Sequence, residues 1–493
     1  MFLISLAVPF LTGFFEIYPR ILNPKVGVDI WTHLLFLKEY HRRGGIPKEI
    51  GRKQGFLIEG EYDYPPVFIW ILSKFPFNSV KKYNFLFSPF FDMLHLIFIF
   101  FASYFLTGSI LISVLSQILY SLTPIIILEN STATPRSLGY TLFSIFLMSV
   151  FIFTEYNFFF FLLIALIAGS LIFLSHRFTT QAFLFYAVFF SILEQNPIYI
   201  FIFIFSLGAA LLLSGGFYFK VLKGHFGNLF FWWKNINFRF MHQVGRINRT
   251  RKNEDIILKL YQYLMKFPPF VITITNPWTL SIFYFSLFSF PENPIIIKIL
   301  WWVVFSYFLA LATSLIPFAR FLGESQRYLE ISAFPAAFLS ALLLNEVKNT
   351  EIGIYFQILY FLAGLSAFIT IIVIQKKAII NDKLRTITPD MEKMFVYLKS
   401  LKKKPKLVCI PHQITTNIIY HTGCPVFVNA SYFNIIKISE IYPFVRKPLR
   451  EIIRKYKIDL LLLNEDYAEI KDLKIADYEE VKKIGSFVLL RIL

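Results

Sequence analysis

The chain has 493 residues, 56% of them apolar and 61 of them Phe, and carries a formal net charge of +18 at pH 7. That much apolar surface would aggregate in water, which excludes an ordinary soluble protein, and repeated runs of roughly 18 or more apolar residues mark transmembrane helices. The positive charge lies in loops and in the C-terminal region, which favours anionic headgroups or a phosphate-bearing lipid over nucleic acid as the partner.

Phe2–Phe15 lacks a basic leader and a small-residue cleavage site, so it reads as a first membrane helix rather than a removed signal. Residues 19–66 then form a long loop, too rich in Lys, Arg, Asp and Glu to lie in hydrocarbon. Within it Asp29 precedes an apolar-periodic run, Ile30, Leu34 and Leu37, and suits an N-cap. His33, four residues on, shares the face of Asp29. Gly44-Gly45, with Pro47 just beyond, ends the run. The pattern predicts an amphipathic helix lying at the membrane surface and presenting a carboxylate and an imidazole. The loop closes on EGEYDYPP, where Glu59, Glu61 and Asp63 precede two prolines that set the angle of re-entry.

After a short apolar piece at Val67–Phe77, the apolar segments alternate between tight turns and long polar loops, for about eleven spans in all. The tight turns fall on one face. The long loops, with Asp29, Glu129, His176, Arg320, Glu324, Arg327 and the C-terminal region, fall on the other. Glu129 follows a span and precedes Pro135-Arg136; His176 and Arg177 end another; Arg320, Glu324 and Arg327 lie in ARFLGESQRYLE between two late spans. Each equally suits a charged cap or an interfacial anchor, but a guanidinium there can fork two phosphate oxygens. The long loop 217–266 is basic and aromatic and reads as a membrane-surface segment.

From about Lys376 charge rises and long apolar runs end. Lys406–Pro411, Cys424–Asn429, Lys457–Asn464 and Ser486–Leu493 read as strands, Ile414–His421 and Pro443–Tyr456 as helices. The expected organisation is a helical polytopic membrane domain, residues 1–375, followed by a small α/β soluble domain, residues 376–493. The two cysteines, Cys409 and Cys424, have no metal-site company.

Asp29 just after the first membrane helix, the D…H…GGIP run and YDYPP at Tyr62–Pro66 resemble the first loop of the glycosyltransferase C superfamily, integral-membrane enzymes that use polyprenyl-phosphate-linked sugars. The resemblance covers the topology of about the first two-thirds of the chain and implies transfer of a sugar to a lipid, glycan or protein acceptor. It implies a catalytic carboxylate at Asp29, a second at Glu129, and an arginine of the Arg320–Arg327 loop, Arg327, on the lipid phosphate; by residue chemistry His33 joins the catalytic set, and Glu61, Asp63, His176, Arg177, Arg320 and Glu324 the substrate-binding one. It further implies a divalent ion, Mg or Mn, at Asp29 and Glu129, although no DxD-type pair is present. The WWDYG motif of oligosaccharyltransferases and the adjacent Asp-Glu pair of protein O-mannosyltransferases are absent. The resemblance puts the site and the C-terminal domain outside the cell, whereas the positive-inside rule puts these basic loops within. The rivals are a lipid-linked oligosaccharide flippase, which calls for ionisable residues deep within spans, and a non-catalytic membrane scaffold.

Overall fold

A computed structural model describes residues 2–27, 29–47, 49–50, 55–238, 242–244, 267–427, 435–475 and 477–493. The chain forms two compact units. One comprises Met1–Pro24, Phe85–Tyr218 and Asn253–Ile380; the other comprises Lys25–Asn84, Phe219–Lys252 and Asn381–Leu493.

The first unit is helical. Four helical stretches are long and apolar enough to cross a membrane alone: Phe77–Thr107, Arg136–Tyr156, Pro294–Leu315 and Gly353–Ile380. Three further pairs do so only as bent spans: Ile110–Ser121 with Pro124–Asn130 at 64°, Pro268–Thr275 with Pro277–Leu287 at 107°, and Ser325–Ile331 with Ala333–Val347 at 61°. The first two bends fall at a proline, which has no N–H to continue the preceding helix. The described spans therefore number four, or up to seven with the bent pairs, beside three shorter apolar helices, Phe159–Ser175, Arg177–Leu193 and Ile198–Leu213. Continuous apolar runs such as Ile110–Leu128 do not reveal these breaks.

One buried cation of this bundle gathers several partners. On the tight-turn face the Lys298 ammonium reaches Glu155 Oε1 at 2.5 Å, Thr154 Oγ1 at 2.8 Å and Glu194 Oε2 at 3.1 Å. One lysine thus joins the 154–157 turn, the 194–197 turn and the start of the Pro294–Leu315 helix. Those turns read as acidic in sequence; their counter-charge comes from one turn inside a neighbouring span.

The second unit is built on a four-stranded sheet. Its strands, following a two-stranded ribbon of β1 (Glu49–Ile50) and β2 (Gly60–Glu61), are β3 (Leu407–Ile410), β4 (Leu460–Asn464), β5 (Tyr478–Ile484) and β6 (Phe487–Ile492). The sheet order is β3-β4-β6-β5, with β3 and β4 parallel and the rest antiparallel. The core holds Val408, Ile410, Leu461, Leu463, Val488 and Leu490, covered by Ile452 and Ile453 of the Leu449–Tyr456 helix.

The first loop belongs to this unit. Val26 and Thr386 form an antiparallel bridge, and Phe56 and Leu407 each bridge Val426. The amide of Val426 donates to Gly55 O at 2.8 Å, and that of Leu57 to Val426 O at 2.9 Å. The Asp29–Arg43 helix packs against Thr415–Thr422, with Trp31 in ring contact with Tyr420 at 5.4 Å and with His421 at 4.8 Å.

Three local expectations change. The described part of Cys424–Asn429 makes only the isolated bridges at Val426, and residues 428–429 lie outside the described residues. The helix expected over Pro443–Tyr456 spans only Leu449–Tyr456, because Pro448 can precede a helix but not continue one. The strand β5 was not anticipated; its YEEVKKI sequence is charged and mostly exposed, as a sheet edge tolerates.

Replacing Lys298 by Ala strands two largely buried carboxylates. The expected loss is about 3 kcal/mol, read as a lowered unfolding midpoint in detergent, with Lys298→Arg retaining more of the stability than Lys298→Ala.

Candidate active site

In the second unit the Asp29–Arg43 helix begins at Asp29 itself, so this exposed carboxylate sits in the first turn, where the helix N-terminus favours negative charge. Gly44, at φ +70°, ends the helix as the sequence predicts. The helix is less open than an amphipathic one: Ile30 through Leu37 are all buried, because the Thr415–Thr422 helix covers part of the face that the apolar-periodic run left open, while Lys38 and His41 to Arg43 stay exposed. His33 is 1% exposed, with its ring 5.0 Å from Phe68 and 6.4 Å from Tyr64. Burial pushes its imidazole down to about 3. Glu61 pairs with Lys220 at 3.1 Å, and Asp63 lies against Gly224, where a methyl group would overlap it.

The first unit brings together candidates from four separate stretches. Arg136, opening the Arg136–Tyr156 helix, is ion-paired to Glu129 and lies 3.8 Å from Glu330, whose side chain is wholly buried. The Tyr140 hydroxyl, one turn on, donates to Glu330. Glu324 holds Arg327 Nε at 3.1 Å, and both lie within electrostatic reach of Arg136. The Arg327 guanidinium stands 5.8 Å over Phe178, and Phe178 packs edge-on against Tyr328. Gln181 donates to Tyr328 Oη at 3.0 Å and to Leu322 O at 2.5 Å. His176 bonds Thr179 at 3.0 Å through Nδ1 and meets Tyr140 edge-on. Arg320 donates to Ser314 O at 3.4 Å, and Arg177 lies near Tyr218.

Glu129, His176, Glu324 and Arg327 are thus parts of one cluster, together with Arg136, Tyr140 and Glu330, which sequence reasoning did not single out. Arg136 was legible as a cation opening a span. Glu330 was not, since it meets Tyr140 from 190 residues away. Two guanidinia here face three carboxyl groups. The Arg327 side chain is 26% exposed, and its ion pair is with Glu324, itself 30% exposed.

A second polar chain runs deeper. Tyr120 donates to Asp92 at 2.6 Å, and the His95 ring bonds Tyr120 Oη at 3.0 Å and Ser144 Oγ at 2.9 Å. Because the Tyr120 proton goes to Asp92, Nδ1 of His95 carries the proton toward Tyr120 and Nε2 accepts from Ser144. Glu16 is fully buried beside Asp92 and Asn130. Ionisable residues therefore do lie inside helices of the bundle, as the flippase reading calls for. Sequence position shows depth along a helix but not the face on which a charge finds its partner.

Among the described residues no group of three or more His, Cys, Asp or Glu is arranged to hold a metal ion. Glu129 is instead occupied by the cation of Arg136.

By sequence the chain matches no protein-family model and no curated protein. By structure it is similar to the oligosaccharyltransferase of Archaeoglobus fulgidus in complex with Zn and sulfate, with TM-score 0.56 and 14% identity over 93% of this chain and 68% of that one. It is similar to ArnT from Cupriavidus metallidurans bound to undecaprenyl phosphate, with TM-score 0.54 and 9% identity over 100% of this chain and 98% of that one. The archaeal oligosaccharyltransferase AglB from Archaeoglobus fulgidus, in complex with an inhibitory peptide and a dolichol-phosphate, gives TM-score 0.53 and 12% identity over 96% of this chain and 71% of that one. These likenesses show the fold alone: a helical membrane region with a small sheet in the C-terminal part, shared with these solved proteins.

Two outcomes follow from the geometry. Arg136→Ala leaves Glu330 buried without its cation and should cost about 3–5 kcal/mol in detergent unfolding. Adding Glu330→Gln to that variant should recover part of the loss. His33 titrates near 6.5 when unfolded and near 3 when folded. The unfolded chain therefore binds the extra proton between those values, so its contribution is constant above about pH 6.5 and stability falls as pH drops below it, by up to ~1.4 kcal/mol per unit. Between pH 7.5 and 5 the unfolding midpoint of the wild type should fall further than that of His33→Gln.

Proposed function

We propose that this chain is a membrane glycosyltransferase that moves a sugar from a polyprenyl-phosphate-linked donor to an acceptor at the membrane surface. The observation that carries the reading is the cluster of Arg136 and Arg327 with Glu129, Glu324 and Glu330, set in a fold shared with proteins solved with undecaprenyl phosphate and dolichol-phosphate.

In this reading Arg327 exchanges its bond to Glu324 for the donor's phosphate and stabilises the charge that builds on it as the sugar leaves. Arg136 holds Glu129 and Glu330 in place and keeps the patch from repelling an anion. Asp29, exposed at a helix start, takes the acceptor's proton. His33, buried and neutral, supports the helix that carries Asp29. Glu61 and Asp63 hold the first loop against the Tyr218–Lys234 helix and contribute to acceptor binding; His176, Arg177 and Arg320 complete the donor's surroundings. A divalent ion would require Glu129 to give up Arg136, so no step is assigned to one. The site faces the outside of the cell.

The chain Asp92–Tyr120–His95 is what an ion- or proton-coupled flippase would also use, so the transfer assay must decide. Purified wild-type protein should transfer label from at least one member of a panel of radiolabelled polyprenyl-phosphate sugars. Asp29→Asn should lose about 10²-fold or more of that activity while keeping the wild-type elution profile and unfolding midpoint. Arg327→Ala should raise the KM for the lipid donor. Undiminished transfer by Asp29→Asn would remove it from the mechanism, and EDTA-sensitive transfer would restore the metal. Absence of transfer with lipid scrambling in liposomes would favour the flippase.

A further inference from the structure

The Tyr218–Lys234 helix carries a feature that the transfer reaction does not use. Its inward residues, Tyr218, Val221 and Phe231, are each 2% exposed or less. Its outward residues form one stripe: Phe219 at 63% exposed, Phe226 at 63%, Phe230 at 40% and Trp233 at 49%, with exposed Lys223 between them. The spacing of these positions, i, i+4, i+7, i+11 and i+14, is that of a single helical face. The helix contains Lys220, Lys223 and Lys234 and no acidic residue, and the Lys234 ammonium lies 4.3 Å over the Phe230 ring. An exposed aromatic ridge with only basic companions would be a liability in water.

The chain itself says what covers it. The preceding helix, Ile198–Leu213, is apolar throughout and ends on Leu212 and Leu213, exposed at 84% and 71%. Only Ser214–Phe217 separate the two helices, and Gly215 and Gly216 there have φ of +56° and +78°. Four residues reach at most about 14 Å, so the start of the aromatic helix cannot leave the zone where the apolar helix ends. Aromatic side chains settle at the headgroup level, and lysines beside them snorkel to anionic phosphates.

We infer that the Tyr218–Lys234 helix is an in-plane membrane anchor. It lies on an anionic lipid surface with Phe219, Phe226, Phe230 and Trp233 in the acyl boundary and Lys223 and Lys234 on the headgroups. Its opposite side carries the contacts to the first loop, Lys220 to Glu61 and Gly224 to Asp63. The lipid surface therefore fixes the level at which that acidic loop is held. This inference does not depend on which reaction the protein catalyses.

The test uses the full chain in nanodiscs of phosphatidylcholine with and without phosphatidylglycerol. Spin labels are placed singly by Phe226→Cys, Phe230→Cys and, as a water-facing control, Lys402→Cys; the native Cys409 and Cys424 are buried, and unsubstituted protein gives the background. The labels at 226 and 230 should be severalfold more accessible to oxygen than to a polar nickel chelate, with the reverse at 402, and the preference should deepen with phosphatidylglycerol. Equal exposure of all three labels to the nickel chelate would overturn the anchor. Dipolar broadening at 226 and 230 that disappears on dilution with unlabelled protein would also overturn it, in favour of a second copy on this face. A depth indifferent to phosphatidylglycerol would overturn the assignment to an anionic surface.

Discussion

A charge inside an apolar bundle must have a partner, because the cost of leaving it alone exceeds what any one helix contact returns. That constraint fixes how the helical unit is put together. Lys298 ties two tight turns to a third helix through Glu155 and Glu194. Arg136 ties the end of one bent span to the middle of another through Glu129 and Glu330. Neither set can form until the helices concerned are side by side, so the pairs specify which helices become neighbours where uniformly apolar surfaces would not. Small residues add to this. A methyl group at Gly169 would overlap Ser206 Oγ and one at Gly139 would overlap Thr179 Oγ1, so these helices approach at those points only because Cβ is missing.

The polytopic character, the helix after Asp29 with its stop at Gly44, and the strands β3, β4 and β6 were legible because each rests on a local pattern: an apolar run, a periodic face, a glycine with positive φ. What was not legible rests on partners far along the chain. Nothing in DIWTHLLF shows that Thr415–Thr422 will cover Trp31 and Thr32, so the first half of the helix read as amphipathic is buried. Glu330 is one acidic letter at the end of ARFLGESQRYLE until Tyr140 and Arg136 are placed beside it. Bends at Thr123 and Asn276 hide in runs that hydropathy averages over, since a proline weakens the helix without making the segment polar. The edge strand β5 has the opposite problem: its exposed faces leave no apolar alternation to detect.

The partition of the first loop changes what its residues can be asked to do. A loop anchored only at its ends would leave Asp29 without a fixed position. Here residues 25–27 pair with 385–387, and residues 55–57 pair with Val426 beside β3. The backbone on both sides of the Asp29–Arg43 helix is thus fastened to the C-terminal residues by main-chain hydrogen bonds, which do not depend on particular side chains. The helix between them is clamped by Trp31 against Tyr420 and His421 and by Thr32 against Thr416.

It follows that the C-terminal region cannot be treated as a separable appendage to the Asp29 helix. The sheet core includes Ile58 from the first loop and Phe231 from the aromatic helix beside Val408, Leu461 and Val488, so removing the sheet removes the surface on which both segments fold. The Tyr218–Lys234 helix and the first loop therefore share one hydrophobic core. The α/β part thus sets the position of the helix that opens on Asp29 through main-chain bonds on both of its flanks.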